Sequence, residues 1–160
     1  MKKIFINFLL LCCLVSCNSQ TKKAATAKKA FAITKTNAEW KAELTSDQYE
    51  VLREKGTEAP FTGEYYKHKK KGTYVCAGCK NPLFKSDDKF DTECGWPSFD
   101  KAIKGSVIYE TDGKFGMQRT EVMCAKCGGH LGHVFDDGPQ ETTGQRFCTN
   151  SVSIIFEPKL

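Results

Sequence analysis

The chain has no apolar run long enough to cross a bilayer as a helix, which excludes a helical membrane span. It shows no internal repeat and no glycine-rich dinucleotide fingerprint, so neither a repeat array nor a dinucleotide-binding fold is indicated. Beyond its N-terminal stretch it also lacks a basic excess. The formal charge is +5 overall, +3 without Lys2 and Lys3, and −2 once Lys22, Lys23, Lys28, Lys29 and Lys35 are also set aside. A slightly acidic domain offers no electrostatic footprint for nucleic acid.

What the chain does have is cysteine, nine residues in all. Three lie in "MKKIFINFLLLCCLVSC", where two lysines precede an apolar run from Ile4 to Val15. That is the pattern of a secretory signal. The run ends in Ser16–Cys17, which resembles the lipobox of bacterial lipoproteins and predicts a lipid on Cys17, with cleavage just before it. Asn18 does not resemble the aspartate that retains some lipoproteins at an inner membrane, so an exported lipoprotein anchored to the cell envelope, at the outer membrane, is expected. Residues 18–37 are rich in Ala, Thr and Lys with few large apolar groups, too few to order themselves, and read as a flexible tether. Residues 38–160 are then the domain.

Thr45 with Gln48 three residues later forms a capping-box signature for a short amphipathic helix bearing Tyr49, Val51 and Leu52 and ending at Gly56. From Gly72 onward come short apolar runs, "TYVC", "NPLF", "SVIYE", "GMQRTEVMC", "HVFDDGP" and "SVSIIF", separated by turn residues. The expected fold is mainly β, antiparallel sheets with one or two short helices near the N-terminus and a structural zinc site.

The zinc expectation rests on "CAGC" and "CAKCGG". Two C-x-x-C knuckles, Cys76 with Cys79 and Cys124 with Cys127, supply four thiolates for tetrahedral zinc, and a four-ligand site with no open position is structural. Two disulfides in an exported protein, or a redox C-x-x-C, are the competing readings. Cys94 in "TECGWPSF" and Cys148 in "RFCTNS" belong to no knuckle. They are two buried thiols, a structural disulfide or a redox pair. Arg146 lies two residues from Cys148; on a strand the two share a face, and a guanidinium there favours a nucleophilic thiolate. Cys94 sits beside a glycine in a loop able to swing.

Taken together, "CAGC", "GWPSF", "CAKCGGHLGHVFDDGP" and "RFCTNS", with the lead-in "LTSDQYEVLREKGTEAPFTGEY", resemble the B-type methionine sulfoxide reductases, which act on the R epimer of methionine sulfoxide. The resemblance covers roughly residues 38–158. It implies that Cys148 is the nucleophile and Cys94 the resolving cysteine. It implies that Cys76, Cys79, Cys124 and Cys127 hold zinc, and that His130, His133, Asp137, Arg146 and Asn150 are active-site polar residues. Trp96 would pack on the substrate methyl group. His133 is the expected proton donor, and Asn150 either ends a turn or holds a neighbouring imidazole through its amide. The implied partners are oxidised proteins or peptides and a thioredoxin-like reductant, with a monomeric enzyme. A membrane-anchored zinc-ribbon binding module would need only the four knuckle cysteines, and a thiol–disulfide oxidoreductase would use Cys94 and Cys148 on thiols.

Overall fold

The computed structural model describes residues 30–159. The signal segment, Cys17 and most of the expected tether lie outside the described residues. Two short helices open the domain, α1 (Asn37–Glu43) and α2 (Ser46–Glu54). Each begins with a capping box: Thr36 with Glu39, and Thr45 with Gln48. These reciprocal bonds satisfy amide groups that a first helical turn leaves without partners. The left-handed residue that ends α2 is Lys55 rather than Gly56, and its Nζ is held 2.7 Å from Glu121.

Nine strands follow, β1 (Gly72–Cys76), β2 (Pro82–Lys85), β3 (Lys89–Phe90), β4 (Ser98–Phe99), β5 (Val107–Asp112), β6 (Arg119–Cys124), β7 (His130–Phe135), β8 (Arg146–Thr149) and β9 (Ile154–Pro158). They form two antiparallel sheets, one of three strands in the order β2-β1-β9 and one of six in the order β3-β4-β8-β7-β6-β5. The expected mainly β fold with two N-terminal helices is what the chain adopts. "HVFDDGP" is strand only as far as Phe135, and the first half of "SVSIIF" is a 3-10 turn over Ser151–Ser153.

Aromatic side chains join the sheets. Phe84 on β2 stacks on Phe99 of β4 with centroids 4.3 Å apart, and Tyr74 on β1 meets Phe99 edge-on at 5.0 Å. Phe147 on β8 closes the cluster against Phe84 at 5.8 Å. Burying each phenylalanine contributes roughly 1.5–3 kcal/mol. Alternation then decides what faces outward: with Phe147 and Thr149 buried in the core, Arg146 and Cys148 of β8 share the opposite face.

The N-terminal edge of the domain departs from the expected tether. The Ile33 amide donates to the Lys126 carbonyl at 3.0 Å, Ile33 packs on the core, and the Phe31 ring fills the space beside Gly128. Phe31 and Ile33 therefore lie against the second cysteine knuckle.

Candidate active site

Cys148 occupies an inner strand, and both neighbouring strands supply chemistry to it. In the ladders Ser98 of β4 lies opposite Cys148 on one side and His133 of β7 on the other. The close approach of β7 depends on Gly132, where a Cβ atom would lie 2.0 Å from the Cys148 carbonyl oxygen. Beside Cys148 is a cavity of about 100 Å3 whose walls include Trp96, His133, Phe135 and Asn150.

The two cysteines outside the knuckles come together. Cys94 Sγ lies 3.7 Å from Cys148 Sγ. The loop expected to swing is instead fastened: Cys94 Sγ contacts Thr92 Oγ1 at 3.0 Å and Ser98 Oγ at 3.4 Å. Among the described residues all six cysteines are free thiols. The two sulfurs are within hydrogen-bonding distance. The hydrogen bond with Cys148, together with the Ser98 and Thr92 hydroxyls, pulls the Cys94 thiol down to about 4. Donating that bond, and burial, push Cys148 up, while Arg146 opposes the rise. The expected influence of Arg146 is present, and in this geometry the sulfur–sulfur hydrogen bond and burial oppose it.

Arg146 is itself held. Its Nε and Nη2 donate to the two carboxylate oxygens of Asp137, each at 2.8 Å, and its guanidinium lies 4.6 Å from the centre of the Phe135 ring. This bidentate pair holds the Asp137 carboxyl below its ordinary value. Asp137 thus orients the guanidinium of Arg146, which shares a face of β8 with Cys148.

His130 and His133 each carry a carboxylate partner that the expectations from sequence do not include. His133 Nε2 lies 2.8 Å from Asp112 Oδ2, and His130 Nδ1 lies 2.7 Å from Glu121 Oε1. Burial pushes His133 below its ordinary pKa, and the hydrogen bond to Asp112 works against that shift. Asp112 is held well below the usual carboxylate range by the Lys114 amide, His133 and Arg119. Asn150 does not hold an imidazole. Its Oδ1 accepts from the Glu58 amide at 3.1 Å and its Nδ2 donates to the Leu131 carbonyl at 3.0 Å. Glu58 braces the other wall as well, its carbonyl accepting the Trp96 Nε1–H at 3.2 Å, while its carboxylate accepts from the amides of Ser151 and Val152. The one signal in the sequence for any of these partners is Glu121, an acid in the apolar run "EVMC".

The four knuckle cysteines converge away from this cavity, their sulfurs all within 4.8 Å of one another. Cys76 and Cys127 are 3.7 Å apart and Cys79 and Cys124 3.5 Å apart. Zinc–sulfur bonds of about 2.3 Å in a tetrahedron place sulfurs about 3.8 Å apart, so the donor set and its spacing fit zinc. His130 is engaged by Glu121 and is not part of this cluster.

The SelR domain model matches residues 44–158. A peptide methionine sulfoxide reductase MsrB of Bradyrhizobium diazoefficiens is 57% identical over 128 residues, covering 79% of this chain and 91% of that protein. Those of Agrobacterium fabrum and Leptospira interrogans are 54% and 52% identical, each over 79% of this chain and 93% and 97% of their own lengths. The matched span carries both reactive cysteines, both carboxylate-held histidines and the four-sulfur cluster, and the chain belongs to the SelR family of MsrB-type peptide methionine sulfoxide reductases.

Proposed function

We propose that the protein reduces the R epimer of methionine sulfoxide in oxidised proteins and peptides to methionine. The observation that carries this reading is the juxtaposition of Cys148, His133 and Trp96 around one small cavity, with a second sulfur 3.7 Å from the first. The cavity accepts a methionine side chain, with the Trp96 face available to the methyl group. As the sulfoxide enters, Cys148 passes its proton to Cys94 and attacks the substrate sulfur. The departing oxygen needs a proton, and His133, whose charged form Asp112 supports against burial, donates it from the ring nitrogen that Asp112 does not engage. The oxygen ends on sulfur as a Cys148 sulfenic acid and methionine leaves. The Cys94 thiol then attacks Cys148, forming a Cys94–Cys148 disulfide and releasing water. A thioredoxin-like dithiol returns two electrons and two protons by exchange.

The knuckle cluster is proposed to hold zinc, supplying cross-linking rather than chemistry. The chain is proposed to act as a monomer, without nucleic acid, tethered to the cell envelope by a lipid on Cys17 with the domain facing the periplasm or exterior, the outer membrane being the favoured site. Detergent-solubilised full-length protein with dithiothreitol is expected to consume the R epimer of a methionine-sulfoxide peptide and leave the S epimer. In a single turnover without reductant, Cys94→Ser is expected to release about one methionine per chain and Cys148→Ser none. Turnover of both epimers, or activity in Cys148→Ser, overturns the reading.

A further inference from the structure

The loop between α2 and β1 carries Phe61, a residue 59% exposed and the most exposed large hydrophobic among the described residues. Its φ is +66°, a left-handed conformation that residues with bulky side chains rarely adopt. A large apolar side chain held out into water in an unfavourable backbone conformation points to a use for that ring.

The ring is mounted on the loop that bears Cys94. The Phe61 amide donates to the Gly95 carbonyl at 2.7 Å, and Tyr66 Oη donates to the Thr92 carbonyl at 2.8 Å. The two rings meet edge-on at 5.5 Å. Gly95 has φ +94°, and a Cβ there would lie 2.6 Å from Pro60. One aromatic corner therefore fastens both ends of residues 92–95. Around it the rim is polar, with Lys67 over the Tyr66 ring at 4.4 Å and 3.8 Å from Glu93.

We propose that Phe61 is the anchor on which a protein reductant of the C-x-x-C dithiol class docks over Cys94. The inference rests on the reaction proposed above, in which every cycle leaves a Cys94–Cys148 disulfide for an outside dithiol. A small thiol needs no docking surface. A protein must bury apolar area to hold its sulfur in line with the disulfide, and a rigid aromatic ring inside a polar rim concentrates binding energy in that way. The partner's thiolate attacks Cys94 Sγ, the bond to Cys148 breaks, and Cys148 leaves as a thiolate beside Arg146. The partner's second thiol then attacks its own sulfur in the mixed disulfide and frees Cys94. Two electrons have passed to the enzyme pair, the partner is a disulfide, and its two protons go to the enzyme sulfurs and solvent.

The test uses full-length Phe61→Asn and Phe61→Gly, since both residues tolerate the left-handed conformation and only the ring is lost. Phe61→Trp keeps an aromatic ring. With a bacterial thioredoxin as reductant, the KM for thioredoxin is expected to rise about tenfold in the first two variants and to stay near wild type in the third. Turnover supported by dithiothreitol and the KM for a methionine-sulfoxide peptide are expected to be unchanged. An unchanged thioredoxin KM overturns the proposal. So does an equal loss with both reductants, or a raised peptide KM alone, which assigns the ring to the substrate. Wild-type turnover with dithiothreitol reads the underlying reaction separately; its absence overturns both readings.

Discussion

Replacing Cys124 by serine tests how much of the fold depends on the four-sulfur cluster. Cys76 ends β1 of the three-stranded sheet and Cys124 ends β6 of the six-stranded sheet, and each has no exposed surface. A zinc ion held by the cluster would therefore clamp the two sheets together. Zinc held by sites of this kind contributes on the order of 10–16 kcal/mol at neutral pH. A domain of this size has a net stability of about 5–15 kcal/mol. Losing the metal thus removes as much free energy as the fold has in reserve. The serine hydroxyl adds a further cost of about 1–3 kcal/mol if it is buried without a partner. Cys124→Ser is expected to bind no zinc and to be largely unfolded. Native protein, measured before and after a strong chelator, is expected to hold one zinc per chain and to lose its cooperative melt when stripped. Metal content and the circular-dichroism melt read both outcomes. A metal-free protein, stripped or mutant, that melts at the native temperature would refute the reasoning.

Two further perturbations probe the site and the chain's address. Asp112→Asn keeps the shape of the partner of His133 but removes its charge. Because that carboxylate favours the imidazolium while burial opposes it, the variant's His133 loses its proton at lower pH than the native one. The alkaline fall of kcat/KM is expected to begin at lower pH, with activity about tenfold down at neutral pH and native-like in acid; a uniform loss at every pH marks Asp112 as a structural prop only. Cys17→Ala is expected to abolish partition into the detergent phase without changing turnover, and membrane association equal to wild type, with unaltered mass, removes the lipid anchor from the proposal.

The features legible in the sequence are those that local chemistry sets. A C-x-x-C knuckle is complete within four residues, so the cluster of Cys76, Cys79, Cys124 and Cys127 was visible as spacing. The Thr45–Gln48 box closes within one helical turn, and strand alternation alone puts Arg146 and Cys148 on one face. Strand register is not local. Asp112 reaches His133 because β5 pairs with β6 and β6 with β7, and nothing near His133 signals it. β3 and β4 are two residues each, too short to show a period. The partners of Asn150 are not legible because its neighbours in the chain give no hint that Glu58 and Leu131 take both ends of its amide. Phe31 and Ile33 read as stray apolar residues in a lysine-rich stretch because the surfaces they cover, Gly128 and Lys126, lie far along the chain.

The distance between the two sulfurs also governs how the enzyme survives the conditions that create its substrate. A sulfenic acid on Cys148 has two fates, condensation with a thiol or a second oxidation to sulfinic acid, which is not reversed by exchange. With Cys94 Sγ 3.7 Å away, the proposed cycle makes the first fate intramolecular. Well-oriented intramolecular reactions have effective molarities on the order of 10⁵ M or more, far beyond the concentration of any oxidant in solution. On that proposal the disulfide forms ahead of a second oxidation. A burst of oxidant that multiplies damaged methionines therefore leaves the repair catalyst in a reducible state, and its throughput is then limited by the supply of electrons rather than by its own inactivation.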